Sequence, residues 1–115
     1  MQQIQTEVIA VDPVHPEPQV IERAAKLLRG GEIVVFPTET VYGLGGDAFQ
    51  TAALERIFAA KGRPFNDPLI VHIASEHDLE QVTPSLPEQA RRLAQVFWPG
   101  PLTLILRRAP VCPAW

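Results

Sequence analysis

The sequence has few of the residues on which metal, disulfide or covalent chemistry depends. It contains a single cysteine, Cys112, so an internal disulfide and a four-cysteine metal site are both excluded. One cysteine in a chain of this length fits a reducing cytoplasm. No histidines and cysteines have the spacing of a zinc site, and no Gly-x-Ser-x-Gly nucleophile elbow is present. Because Cys112 lies in a proline-rich tail far from any predicted base, a covalent mechanism has little support.

The two common nucleotide-binding fingerprints are also missing, since there is no Walker A loop and no Gly-x-Gly-x-x-Gly. The formal net charge is −3, whereas general binders of nucleic acid or anionic membranes carry an excess of basic residues. No apolar run approaches the ~20 residues of a membrane span. The N-terminus lacks the basic start and apolar core of a signal peptide. We therefore expect a cytoplasmic protein that does not contact membranes.

What is present is the pattern of an α/β domain. The chain has 115 residues, of which 46% are hydrophobic and 20% charged, as in one globular domain or part of one. Strands and helices alternate along it, which predicts a sheet with helices against it. The predicted strands are residues 4–11, 33–36, 69–73 and 102–106, and the predicted helices follow Pro18, Thr51, Ser75 and Pro87.

Residues 33–46 organise the rest of the chain. Four apolar residues predict a strand buried on both faces, and Pro37 ends it because proline has no N–H for the ladder. Thr38, Glu39 and Thr40 follow, and then the glycines at 43, 45 and 46. In open α/β sheets ligands bind beyond the carboxyl ends of strands, which favours a small-molecule site. An ordinary strand-to-loop turn explains the same residues about as well.

Lys61 and Arg63 are the best phosphate candidates, because two cations follow a helix end on either side of Gly62. Arginine offers a planar fork to phosphate oxygens and lysine a compact charge. The alternative is that they are surface cations favoured by the helix dipole. Asp67 fits either a ribose or base contact or a turn residue that bonds its own backbone. His72 is predicted in a buried strand, as a substrate contact or as a core histidine with its hydrogen bonds satisfied.

Three motifs then occur in order: PTETVYGLG at 37–45, KGRP at 61–64 followed by PLIVH at 68–72, and FWPGPLT at 97–103. Together they resemble the YrdC-type threonylcarbamoyl-AMP synthases, over residues 20–108. The resemblance implies a YrdC/RibB-like α/β fold, with a twisted mixed sheet and flanking helices. It also implies that the chain is a single partial domain that looks truncated at its C-terminus. The expected parts are a strand and proline-rich connector (1–19), the α/β part (20–108) and an irregular tail (109–115).

The family combines L-threonine, bicarbonate and ATP into threonylcarbamoyl-AMP and pyrophosphate, for the threonylcarbamoyl-adenosine modification of tRNA. The resemblance implies that Thr40 and His72 contact threonine. It implies that Lys61, Arg63 and Asp67 contact ATP, with Lys61 and Arg63 as the catalytic cations and Mg²⁺ arriving with ATP. The family more often has Asn or His at the position of Asp67. It also implies possible contact with RNA and with partner proteins of tRNA modification.

Other interpretations stay open beside the synthase. One is an RNA-binding YrdC-like module, against which the net charge of −3 argues. Another is an inactive truncated fragment, and for the chain alone we expect weak activity or none. The related domain of hydrogenase-maturation carbamoyltransferases is a further candidate, but those proteins are far longer and carry zinc-finger cysteines.

Overall fold

The computed structural model describes residues 5–62, 64 and 68–113, and the structural statements below concern these residues. They form helices, a two-stranded sheet and a small apolar core. In chain order the elements are α1 (Pro18–Arg29), β1 (Val34–Phe36), β2 (Gly43–Gly45), α2 (Thr51–Lys61), a 3-10 turn (Glu76–Asp78), α3 (Leu79–Val82) and α4 (Glu88–Phe97). None of the described helices is both long and apolar enough to cross a membrane.

Helix α1 has the bounds that its sequence predicts. Pro18 occupies the first turn, where its missing N–H costs nothing, and Gly30 caps the other end. The segment before it was predicted as a strand at 4–11, and this prediction is wrong for residues 5–11, which form no strand. An ion pair of 2.6 Å between Arg23 Nη2 and Glu7 Oε2 joins that segment to α1 instead. Val8 remains 89% exposed, so its side chain does not pack against another element.

Strands β1 and β2 form an antiparallel hairpin in which Phe36 lies opposite Gly43. Strand β1 ends before Pro37, as predicted, but it is half-buried rather than buried on both faces, because Val35 is 61% exposed. The glycine stretch was interpreted as a loop, whereas Gly43–Gly45 is a strand. The ring of Phe36 explains the glycines, since a Cβ on Gly45 would lie 2.8 Å from Phe36 Cε1.

Helix α2 supplies the largest share of the core, with four of the nine apolar residues that are buried in the described part of the chain. Its inward face buries four residues, namely Ala53, Leu54, Ile57 and Phe58. The predicted cap Thr51 is instead the first helical residue, and Gln50 precedes it without capping the helix through its side chain. The Gln50 amide donates to Arg29 O (3.1 Å). Arg56 donates to Gly31 O (2.8 Å), so polar side chains connect the start of α2 to the end of α1.

The 3-10 turn and α3 begin at the predicted capping box, in which the side chains of Ser75 and Asp78 bond each other's backbone N–H. Helix α4 buries Ala90 and Ala94. Leu93 and Phe97 belong to the apolar stripe of the same helix, but they are 42% and 55% exposed. The buried face of α4 is therefore narrower than its apolar stripe.

After α4 the chain returns to α3. The amide of Ala109 donates to Val82 O (2.8 Å), and Ala109 and Cys112 are both buried. The tail after 108 was expected to be irregular, and it contains no helix or strand up to residue 113.

The predicted strands at 69–73 and 102–106 do not form in the part of the chain that the structure describes. Ile70 in the first is 63% exposed, and Ile105 in the second is 98% exposed. A strand is defined by hydrogen bonds to a neighbour, and among the described residues neither segment has one. The described sheet therefore consists of the β1–β2 hairpin.

Candidate functional site

The polar loop between β1 and β2, residues 37–42, is held by one side chain. Thr38 Oγ1 accepts a hydrogen bond from Thr40 N (3.2 Å) and donates one to Val41 O. The hydroxyl oxygens of Thr38 and Thr40 lie 3.5 Å apart. Both threonines are exposed, so the loop presents two neighbouring hydroxyl groups to solvent at the end of β1, where the sequence predicts a ligand.

Lys61 is the last residue of α2 and is exposed. Gly62 follows with a φ of +65° and its N–H bonds Phe58 O, which ends the helix. The lysine therefore stands at the negative end of the helix dipole, where an ammonium group is stabilised. Arg63 and Asp67, the other two residues predicted to contact ATP, lie outside the described residues.

His72 lies on the extended segment before the 3-10 turn and is exposed. The prediction that it belongs to a buried strand is wrong, and a core histidine with all its hydrogen bonds satisfied is excluded with it. The segment has no ladder partner among the described residues, and His72 lies between Val71, which is exposed, and Ile73, which is half-buried. An exposed imidazole remains open to a ligand.

Within the described residues, the contacts of Thr40 are with Thr38 of the same loop and not with another predicted site residue. No hydrogen bond or ion pair among the described residues joins Thr40, Lys61 and His72 to one another. The roles implied for these residues by the family resemblance stay predictions. Thr38 is the residue that sequence reasoning left without a role. The sequence itself indicated this contact, because a threonine hydroxyl commonly forms a hydrogen bond with the backbone two residues ahead.

Two open surface cavities, of about 540 and 560 Å³, lie elsewhere on the molecule, and both are lined partly by Glu80 and Pro84 beside α3. In the first, Arg91 approaches Glu76 at 3.5 Å. The second is largely apolar and includes Phe49. Neither is lined by the predicted site residues. In the described part of the chain no group of three His, Cys, Asp or Glu side chains is placed to hold a metal ion.

Known proteins resemble this chain over most of its length. The Sua5/YciO/YrdC family model, described as telomere recombination, matches residues 26–115. The threonylcarbamoyl-AMP synthase of Pyrococcus abyssi is 55% identical over 93 residues, which cover 81% of this chain and 27% of the relative. The enzyme of the same name from Bacillus subtilis is 55% identical over 94 residues, which cover 82% of this chain and 27% of the relative.

A solved structure agrees with these sequence matches. The structure of Pyrococcus abyssi Sua5 complexed with L-threonine superposes with a TM-score of 0.82 at 52% identity, over 86% of this chain and 29% of that one. The expected YrdC-like α/β fold is thereby confirmed. The chain spans less than a third of the length of each of these relatives.

Proposed function

Because the chain belongs to the Sua5/YciO/YrdC family, we propose that it acts in the synthesis of threonylcarbamoyl-AMP from L-threonine, bicarbonate and ATP. The main support is the 52% identity and the TM-score of 0.82 to a Sua5 structure complexed with L-threonine. The product would serve the threonylcarbamoyl-adenosine modification of tRNA. Since the chain covers 27% of the length of two synthases, the proposal concerns what this segment contributes to the reaction.

The proposed reaction needs no nucleophile from the protein. The free amine of threonine adds to CO₂ with loss of a proton, or to bicarbonate with loss of water, and either route gives a carbamate. A carbamate oxygen then attacks the α-phosphorus of ATP, and the bond to pyrophosphate breaks. The protein has to hold two anions together, and positioning alone can lower such a barrier by up to ~10 kcal/mol.

In this proposal Thr40 and His72 contact the threonine. The Thr40 hydroxyl lies on an exposed loop beside a second hydroxyl, and the His72 imidazole is exposed. Both side chains are hydrogen-bonding groups, and they suit the amine, carboxylate and hydroxyl of a small amino acid.

The cations Lys61 and Arg63 would neutralise the phosphates, with Asp67 near the ribose, the base or a magnesium ion. Fixed cations that face the charge developing in the transition state contribute much of the rate enhancement in phosphoryl and nucleotidyl transfer. Mg²⁺ would enter bound to ATP. The exposed Lys61 at the end of α2 supports this role.

The direct test is a calorimetric titration of L-threonine into the purified 115-residue chain. We expect saturable binding, and about tenfold weaker binding by Thr40→Val, which removes the hydroxyl and keeps the shape. Thr51→Val is the matched control, because Thr51 is an exposed threonine at the start of α2. No saturable binding, or equal weakening by both variants, would contradict the proposal.

A second test concerns the whole reaction. ATP–pyrophosphate exchange that requires both threonine and bicarbonate would assign the complete adenylation step to this chain. Threonine binding without exchange would limit the chain's role to substrate binding, in line with the weak activity or inactivity expected from the sequence.

A further inference from the structure

We infer that Thr38 is a positioning residue, which holds the Thr40 hydroxyl in the orientation that receives the substrate amine. The inference rests on the proposed function, in which Thr40 contacts threonine. It assigns a role to a side chain that the motif comparison leaves without one.

The loop that carries Thr40 has little else to hold it. Residues 37–42 are all exposed, and Val41 and Tyr42 are 74% and 76% exposed, so packing does not fix their conformation. The hairpin fixes the two ends, since Phe36 pairs with Gly43. Between these ends, Thr38 Oγ1 accepts a hydrogen bond from Thr40 N, donates one to Val41 O and contacts the Thr40 hydroxyl. These contacts restrain the loop. The Thr38 methyl carbon also lies near β2, at 3.5 Å from the position that a Cβ on Gly43 would take.

The inventory of donors and acceptors assigns an orientation to the Thr40 hydroxyl. A threonine hydroxyl has one proton and two lone pairs. Thr38 gives its proton to Val41 O, so toward Thr40 it offers only lone pairs. In the 3.5 Å contact between the two hydroxyls, Thr40 is therefore the donor. Its own lone pairs remain for an incoming donor, and the amine of threonine is such a donor whereas its carboxylate is not.

The decisive experiment compares Thr38→Val with Thr38→Ser. The valine variant keeps the shape and removes all three hydrogen bonds, whereas serine keeps the hydroxyl and loses only the methyl group. We expect Thr38→Val to bind L-threonine about five- to tenfold more weakly, on the order of one hydrogen bond. We expect Thr38→Ser to stay within about twofold of the parent chain, and ATP affinity to be equal in all three proteins.

Two further measurements separate positioning from direct contact and from a general loss of structure. If Thr38 acts through Thr40, the double variant Thr38→Val/Thr40→Val binds threonine no more weakly than Thr40→Val alone. In the free protein, Thr38→Val should raise the hydrogen-exchange rate of the Thr40 amide severalfold, and leave the exchange of the α2 amides unchanged.

Unchanged threonine affinity in Thr38→Val, beside weakened affinity in Thr40→Val, would overturn the inference and leave the proposed function standing. Additive losses in the double variant would also overturn it, because Thr38 would then act independently of Thr40. Should the parent chain bind no threonine, the proposed function fails and the substrate role of Thr38 fails with it. The exchange rate of the Thr40 amide then still reports whether Thr38 holds the loop.

Discussion

Gly43 and Gly45 are small because the ring of Phe36 lies across them. A Cβ on Gly43 would lie 3.3 Å from Phe36 Cζ, and one on Gly45 would lie 2.8 Å from Phe36 Cε1. An aromatic ring that covers a cross-strand glycine is a known way of stabilising strand pairing. The sequence suggested that these glycines admit a ligand, and the structure supplies a packing reason for them instead.

We therefore expect Gly45→Ala to lower the free energy of unfolding by about 1–3 kcal/mol, as overpacking typically does. Urea denaturation measures this. Gly30→Ala is the matched control, because a Cβ there would make ordinary contacts of 3.4 Å and the φ of −80° suits any residue. If the two variants are equally stable, the ring does not restrict position 45.

Lys61 can be tested against the other lysine of the chain, Lys26, which lies in the last turn of α1. Both are exposed cations near a helix C-terminus, so the helix dipole acts on both alike. We expect Lys61→Ala to weaken ATP binding at least tenfold, about 1.4 kcal/mol, and Lys26→Ala to leave it unchanged. Arg63→Ala should behave like Lys61→Ala. Titration of ATP into the three variants measures these affinities. Equal ATP affinities in all three would contradict the phosphate-binding role of Lys61 and Arg63.

At the scale of elements, the capping box sets where the 3-10 turn and α3 begin. Asp78 Oδ2 accepts hydrogen bonds from Ala74 N (3.1 Å) and Ser75 N (3.2 Å). We expect Asp78→Ala to cost about 1 kcal/mol of stability, the typical value of a cap. Asp78→Asn retains an acceptor oxygen and should lose less. Faster hydrogen exchange of the Ala74 and Ser75 amides in Asp78→Ala, measured by NMR, locates the effect. Unchanged exchange would show that the box contributes nothing.

The proline-rich connector before α1 contains a second local structure, a turn held by the side chain of Asp12. The backbone N–H groups of His15 and Val14 donate to Asp12 Oδ1 (2.9 and 2.8 Å), and they lower the pKa of this carboxyl from its ordinary 3.8. Because the folded pKa is the lower one, the turn's stabilisation is complete above the ordinary pKa and is lost as pH falls through the lowered value. In a carboxyl NMR titration, Asp12 should protonate below 3.8, together with shifts of the two amides. A midpoint at or above 3.8 would contradict the turn.

For the whole molecule, the radius of gyration is 15.6 Å, against about 13 Å for a compact domain of this length. The molecule is correspondingly open. Three apolar side chains of the extended segments 69–73 and 102–106 are exposed, namely Ile70, Val71 and Ile105. Unpaired extended segments with apolar side chains favour edge-to-edge association.

We therefore expect the chain to self-associate as its concentration rises, because these segments can pair between molecules. Sedimentation velocity over a range of concentrations measures this. Ile105→Lys places a charge at a side chain that is 98% exposed and should suppress association while leaving the urea midpoint unchanged. Val8→Lys is the matched control, since Val8 is 89% exposed on the N-terminal segment and should have no effect. Equal suppression by both variants would show that association depends on net charge.

The helices were predictable from the sequence because their determinants are local. Hydrogen bonds within a helix join residues four apart, so Pro18, Gly30 and Gly62 mark helix ends wherever the helix lies. The capping box at Ser75 is likewise formed by residues close together in the sequence. The motifs that indicate the family can be identified from their residues and their order alone.

Strands were a different matter, because only the tertiary structure supplies the partner that an extended segment needs. Residues 43–45 form a strand by pairing with β1, although glycine is unfavourable in strands. Residues 69–73 and 102–106 have strong β-propensity, but neither segment has a partner among the described residues. The exposure of His72 followed from that missing partner. The contact between Thr38 and Thr40 likewise required the loop's geometry, since the sequence shows two threonines but not which of them holds the other.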